Sequence, residues 1–359
     1  MNKVIIILYF LCFLGAGRRG FDNALYQHAD FPIGCAVTAG QFLKYQKYRR
    51  NILCYFNSLT TGNAMKMSYL HPSVKKYNFK TTDRVADICK KKGLLLHGHT
   101  LIWHSDYQIP DWMKNYTGNY KIMLEEHIRT IVSHFRKKVS SWDVVNEAII
   151  DNIQNPPSEW KKSLRKSIWY SNAGTDYIGQ AFCRANEADS NVDLFYNDYN
   201  LINNSKKLDT VIAMMEDFLK HNIPIDGIGF QAHILVDKPA IDNIKKALQK
   251  AVKTGLLIRI SELDIRVNTK GRLARLTPEA DAALSERYRE VVFAYRKIVP
   301  PQQRAGITVW GICDGSSWYN QGYSRYPEWP LLFTDDYIPK QAYYGFIKGL
   351  TAYIPEKKK

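Results

Sequence analysis

Short apolar runs alternate with longer amphipathic ones along most of the chain. The short runs read as strands: "FPIGCAV" (31–37), "ILCYFNSLT" (52–60), "LLLHGHTLIW" (94–103), "SWDVVNEAI" (141–149), "VDLFYNDY" (192–199), "DGIGFQAHI" (226–234), "LLIRISELDIRV" (256–267) and "GITVWGICD" (306–314). Between them, apolar positions recur at helical spacing in 81–92, 120–138, 205–222 and 277–299. The last of these opens on Thr277, Pro278 and Glu279, the signature of a helix N-terminus. Eight strand-and-helix units with no Pro/Gly/Ser-rich break predict an α/β fold, a single (β/α)8 TIM barrel rather than a doubly wound sheet.

The first residues break this pattern. Lys3, an apolar run from Val4 to Leu14 and the small residues Gly15 to Gly17 have the layout of a secretory signal peptide over 1–17. The run falls short of the ~20 residues that span a bilayer. The expectation is therefore a secreted protein, extracellular or periplasmic in a Gram-negative host, with no membrane attachment after leader removal. The barrel is expected over 21–353, with 354–359 a basic tail.

Composition narrows the class. With 45% hydrophobic and 23% charged residues in 359, the chain is neither disordered nor fibrous. Removing Lys3 with the leader takes the net charge from +16 to +15, and removing Cys12 leaves five of six cysteines. An odd count without a close CxxC pair argues against a disulfide framework or a zinc site. The positive charge is scattered in pieces such as "CKKKG" and "EKKK". That is a solvated surface rather than a nucleic-acid groove, and no nucleic-acid partner is expected.

In such a barrel chemistry belongs where strands end. His99, Trp103, Asn146, Glu147, Asn197, Asp198, Gln231, His233, Glu262, Asp264, Trp310 and Trp318 collect there. A lone strand-end Glu can simply pair with a lysine or cap the next helix. Two of them amid this polar and aromatic company instead suit glycosidic cleavage, where one carboxyl protonates the leaving oxygen and the other attacks the anomeric carbon or activates water. Glu147 and Glu262 are that pair; tryptophan faces suit pyranose rings, and Asn, Gln and His suit hydroxyls. His97 is expected to point away from His99 and to serve packing. Trp112, Trp142, Trp160, Trp169 and Trp329 are also assigned to packing, and "YNQGYSRYPEWP" to a loop over the cleft.

"GHTLIWHS", "WDVVNEAI", "LFYNDYN", "GIGFQAH", "ISELDIRV" and "ITVWGICDGSSW" together resemble, in order and spacing, the glycoside hydrolase family 10 xylanases. The resemblance implies endo-acting hydrolysis of β-1,4-xylan with retention of configuration, by a monomer that needs no cofactor or metal. It implies Glu147 as acid/base and Glu262 as nucleophile, with Asn146 on the sugar 2-hydroxyl and Gln231 and His233 beside the nucleophile. It further implies an Asp264–His233–Glu262 chain that keeps the nucleophile ionised. Asn63, Lys66, His99 and Trp103 correspond to glycone contacts and Trp310 and Trp318 to aromatic platforms, while Asn197 joins the binding set.

Two departures stand out. Where the family usually has Glu-Asn ahead of Met-Lys, this chain has Gly62-Asn63-Ala64-Met65-Lys66, so a sugar-gripping carboxylate is missing. The stretch "HSDYQIPDW" is also two residues longer than the usual one, beside Trp103. Decorated xylan or mixed β-glucan is the alternative substrate, and a non-catalytic carbohydrate-binding barrel the alternative of another class.

Overall fold

A computed structural model describes residues 24–354; the expected leader and residues 355–359 of the tail lie outside them. The strands among the described residues are β1 (Ile33–Val37), β2 (Ser58–Thr61), β3 (Leu95–Trp103), β4 (Ser141–Asn146), β5 (Asp193–Asp198), β6 (Gly227–Phe230), β7 (His233–Leu235), β8 (Leu257–Arg266) and β9 (Arg304–Val309). All named pairings are parallel, and the ring β1-β2-β3-β4-β5-β6-β8-β9 closes through β6–β8 and β1–β9. Closure of eight parallel strands with helical crossovers makes a (β/α)8 barrel. The ninth strand, β7, is a short addition at the mouth: His233 pairs with Asp264 of β8.

The strands are apolar because both faces are covered. Outside them, the helix Tyr120–His134 buries Met123, Leu124, His127, Ile128 and Ile131, one face at helical spacing. Helices Lys80–Lys92, Ser205–Lys220 and Pro278–Ile298 fall close to their expected spans. The Thr277 side chain caps the last, accepting from Ala280 N at 3.3 Å. Trp142 and Trp169 are fully buried and Trp160 nearly so, as their packing role required.

Several strand ends differ from expectation. Residues 52–55 are helical, within Gln46–Tyr55, and only Ser58–Thr61 forms β2. Tyr48 and Ile52, four apart, are that helix's buried face, so the apolar run continued a helical period that its own length concealed. β4 stops at Asn146 because Glu147 takes φ +58°, and the run 226–234 splits into β6 and β7 around Ala232 at φ +61°. β9 ends at Val309, ahead of Gly311 at φ +137°. The five cysteines from Cys35 to Cys313 form no disulfide.

Candidate active site

Pairing register puts Trp103, Asn146 and Asn197 level across β3, β4 and β5. The chain leaves β4 through the left-handed conformation of Glu147, which is costly for a residue with a Cβ, on the order of 1–3 kcal/mol. Its backbone is tied on both sides: Glu147 N donates to Asn197 O at 2.9 Å, and Arg165 Nε donates to Glu147 O at 2.9 Å. The carboxylate accepts from Trp103 Nε1 at 2.9 Å on one oxygen, and from Gln231 Nε2 at 2.8 Å and Asn146 Nδ2 at 3.0 Å on the other. Gln231, expected beside Glu262, follows the end of β6, which pairs with the Glu262 strand, and its amide donates to Glu147.

Glu262 lies near the mouth end of β8 and is buried. Asn197 Nδ2 donates to it at 2.9 Å and also to Asn146 Oδ1 at 2.9 Å, while Ser261 Oγ fixes the amide oxygen at 2.6 Å. One asparagine thereby links both carboxylate neighbourhoods. It fits only because residue 229 on β6 is glycine; a Cβ there would meet Asn197 Oδ1 at 2.3 Å.

His233 Nε2 lies 3.3 Å from Glu262, and its Nδ1 lies 2.9 Å from Asp264. Burial alone would discharge this imidazole, but the Asp264 and Glu262 carboxylates together outweigh it and push the pKa up to about 10. Burial likewise raises Glu262, but the His233 hydrogen bond and nearby imidazole charge outweigh it, leaving Glu262 below its usual value. Asp264 also accepts from Trp318 Nε1 at 2.8 Å and from the Tyr319 hydroxyl at 3.1 Å.

His97 does not point away from His99. Residues two apart on a strand share a face, and both imidazoles meet Asp143 Oδ2, at 3.0 and 2.8 Å. His97 also lies 2.7 Å from Ser141 Oγ. Burial, helped by the Arg259 charge, drives His97 down to about 4, so at neutral pH it meets Asp143 uncharged. Asp143, which burial would raise, is held below the carboxylate range by these two imidazoles. Asp198 alternates with Asn197 and faces outward, paired at 2.9 Å with the fully buried Lys207.

The expected residues converge on one cleft of about 570 Å³, lined by Asn63, Lys66, His99, Trp103, Asn146, Glu147, Gln231, His233, Glu262, Trp310 and Trp318. Asn197 and Asp264 stand directly behind this lining. Lys66 Nζ donates to Asn63 Oδ1 at 3.0 Å and sits over the Trp103 ring at 4.6 Å. Burial lowers its pKa to about 8 against the pull of Glu262 and Glu147. At Gly62, also in the lining, an added Cβ would find nothing nearer than Val37 O at 3.7 Å.

Sequence reasoning missed Asp143, Arg165, Ser261 and Tyr319, which act through other residues, and Tyr107, Tyr199 and Tyr323, which line the cleft. Tyr107 carried a signal in the lengthened loop, and Tyr319 and Tyr323 in the stretch expected to form a loop over the cleft, although neither was singled out there.

The chain is 40% identical over 348 residues to endo-1,4-beta-xylanase A of Cellvibrio japonicus, covering 92% of this chain and 57% of the relative, so it spans little more than half that protein's length. It is 37% identical over 332 residues to endo-1,4-beta-xylanase A of Caldicellulosiruptor saccharolyticus, covering 89% and 93%. Among solved structures, a mutant xylanase10C from Cellvibrio japonicus in complex with xylopentaose superposes with TM-score 0.84 at 39% identity, covering 92% of this chain and 69% of that one. The profile described as Glycosyl hydrolase family 10 matches residues 22–349, and the chain belongs to that family.

Proposed function

We propose that the protein is an exported, monomeric, retaining endo-β-1,4-xylanase. The carrying observation is the division of labour between the two carboxyls. Glu262 is buried and kept ionised by His233 and Asn197, while Glu147 is aimed by Trp103, Gln231 and Asn146.

In the first step a Glu262 oxygen attacks the anomeric carbon as Glu147 gives its proton to the leaving oxygen, so the glycosidic bond breaks and a glycosyl ester forms. In the second, Glu147 takes a proton from water, the water oxygen attacks the same carbon, and the ester bond to Glu262 breaks. Two displacements retain configuration. The relative whose structure holds xylopentaose supports xylan as the polymer.

The test is release of reducing ends from xylan and arabinoxylan by the purified protein. Glu262→Ala is expected to abolish it, and Glu147→Ala to lower it by about 10²–10⁴-fold, the usual worth of general acid–base catalysis. Wild type and Glu262→Ala that behave alike would sink the reading and leave a non-catalytic sugar-binding barrel.

Gly62 favours a second reading for the preferred substrate: decorated xylan, or mixed β-glucan. A charged hydrogen bond to a hydroxyl contributes ~1.5–3 kcal/mol. Gly62→Glu, which has room for its side chain, is expected to raise kcat/KM on short unsubstituted xylo-oligosaccharides by about ten- to a hundredfold. No gain would mean that the missing carboxylate is not what shapes substrate choice.

A further inference from the structure

One carboxylate gathers a whole segment of the cleft wall. Residues 199–203, between β5 and the helix Ser205–Lys220, line the cleft in succession. Asp151 is not in that lining, yet it holds the segment. Its Oδ2 accepts from the Tyr199 hydroxyl at 2.5 Å, and its Oδ1 from Asn200 Nδ2 at 3.2 Å and Lys207 Nζ at 3.1 Å. Its carbonyl accepts from Asn204 Nδ2 at 2.7 Å. Asn200 takes the left-handed conformation, φ +60°, and its side chain is fixed at this node.

The same node is joined to the acid/base. Arg165 donates from Nη2 to Asp151 Oδ2 at 3.2 Å and to the Tyr199 hydroxyl at 2.6 Å, and from Nε to Glu147 O at 2.9 Å. Fully buried Lys207 also pairs with Asp198 at the end of β5, at 2.9 Å, and stands 3.8 Å from the Tyr199 ring centre. A carboxylate offers about four acceptor positions, and Arg165, Tyr199, Asn200 and Lys207 fill those of Asp151. Burial would raise its pKa, but the Tyr199 bond and the Lys207 charge outweigh it and hold it at about 2. At neutral pH Asp151 is therefore ionised, with no acceptor position to spare for a sugar.

In the ring, the loop after β2 that carries Asn63 and Lys66 and the loop after β5 stand three strands apart, with Trp103 and Glu147 between them. A polymer held at both loops crosses Glu147, so one loop takes the glycone and the other the sugars that leave. We propose that Asp151 is a positioning residue for the leaving half of the substrate: it sets residues 199–203 against those sugars and, through Arg165, keeps them in line with Glu147. The inference rests on the xylanase reading, in which Asn63 and Lys66 take the glycone. Departure of a sugar then depends on Asp151, while departure of a group that is not a sugar does not.

The experiment compares wild type, Asp151→Asn and Tyr199→Phe on xylohexaose and on dinitrophenyl β-xylobioside, whose leaving group carries no sugar and needs no proton. Asp151→Asn turns an acceptor oxygen into a donor amide against Arg165 or Lys207; a thermal midpoint checks that each variant is folded. The readout is the ratio of kcat/KM on xylohexaose to kcat/KM on the aryl substrate, from which any loss of folded protein cancels. Asp151→Asn is expected to lower that ratio about ten- to a hundredfold, the worth of hydrogen bonds to a charged group, and Tyr199→Phe, which gives up one bond to Asp151, about two- to tenfold. Where Asp151→Asn does not fold, Tyr199→Phe decides by the same ratio. Wild type that cleaves neither xylohexaose nor xylan would overturn the xylanase reading and this one with it. Wild type that cleaves both, with a ratio unchanged in the variants whether the two rates hold or fall together, would overturn the positioning role alone.

Discussion

At the scale of single residues, the site works by setting two neighbouring charges against their burial. His233 keeps its proton to about 10 chiefly because Asp264 faces its Nδ1, with Glu262 adding to the pull, and Glu262 stays low largely because that proton is there. Asp264→Asn removes the charge and keeps one oxygen, enough to accept from Trp318 Nε1 or from the Tyr319 hydroxyl but not from both. With the charge gone, burial takes over at His233 and its pKa falls, so the imidazole becomes neutral at lower pH. Glu262 then loses its leading opponent to burial, and its pKa rises. The expected outcome is an acid limb of the kcat/KM profile displaced to higher pH in the variant. An acid limb that stays where it is would show that Asp264 acts only as an anchor for the two aromatic side chains.

At the scale of elements, the barrel wall is as much a part of the site as the side chains at its rim. Gly229 of β6 leaves the space into which Asn197 of β5 turns, and Asn197 in turn holds Asn146 and Glu262. Gly229→Ala forces a contact of 2.3 Å on an amide that Ser261 prevents from retreating. Overpacking of this kind costs about 1–3 kcal/mol. It is expected to lower kcat at least ~10-fold in protein that calorimetry finds folded, since a small misplacement of reacting groups is expensive. An unchanged kcat would mean that Asn197 is dispensable.

The strand-end residues were legible in the sequence because barrel strands deliver them in order, each at the end of an apolar run. Long helices were legible because four turns or more average out local noise, as in Ser205–Lys220. Short runs were not: "ILCY" fits a strand or a helix, and only the packing of Tyr48 and Ile52 decides. The partners of the catalytic groups were equally hidden. Asp143 looks like any strand carboxylate until β3 brings His97 and His99 to it.

At the scale of the molecule, buried ionisable groups set how folding responds to acid, and they pull in opposite directions. Asp198 and Asp314 are raised to about 6, chiefly by burial; each takes up its proton earlier when folded, so acid favours the fold through them. His71, His97 and His127 are lowered by burial to about 4, 4 and 3, and oppose this. His127 is the clearest case. Burial holds its ring neutral; Nε2 donates to Leu101 O at 3.0 Å, which leaves Nδ1 to accept from His71 Nδ1 at 3.0 Å. As pH falls below the ordinary 6.5, the unfolded chain protonates this ring and the folded one does not until about 3, so stability is present above 6.5 and lost on the way down. His127→Gln destroys the packing but also removes this acid penalty. The variant is therefore expected to be destabilised most at pH 7, with the deficit in denaturant unfolding shrinking by ~2.5 kcal/mol at pH 4.5, at 1.36 kcal/mol per unit. A deficit that is the same at both pH values would mean that the ring is protonated inside the fold and that burial does not hold it neutral.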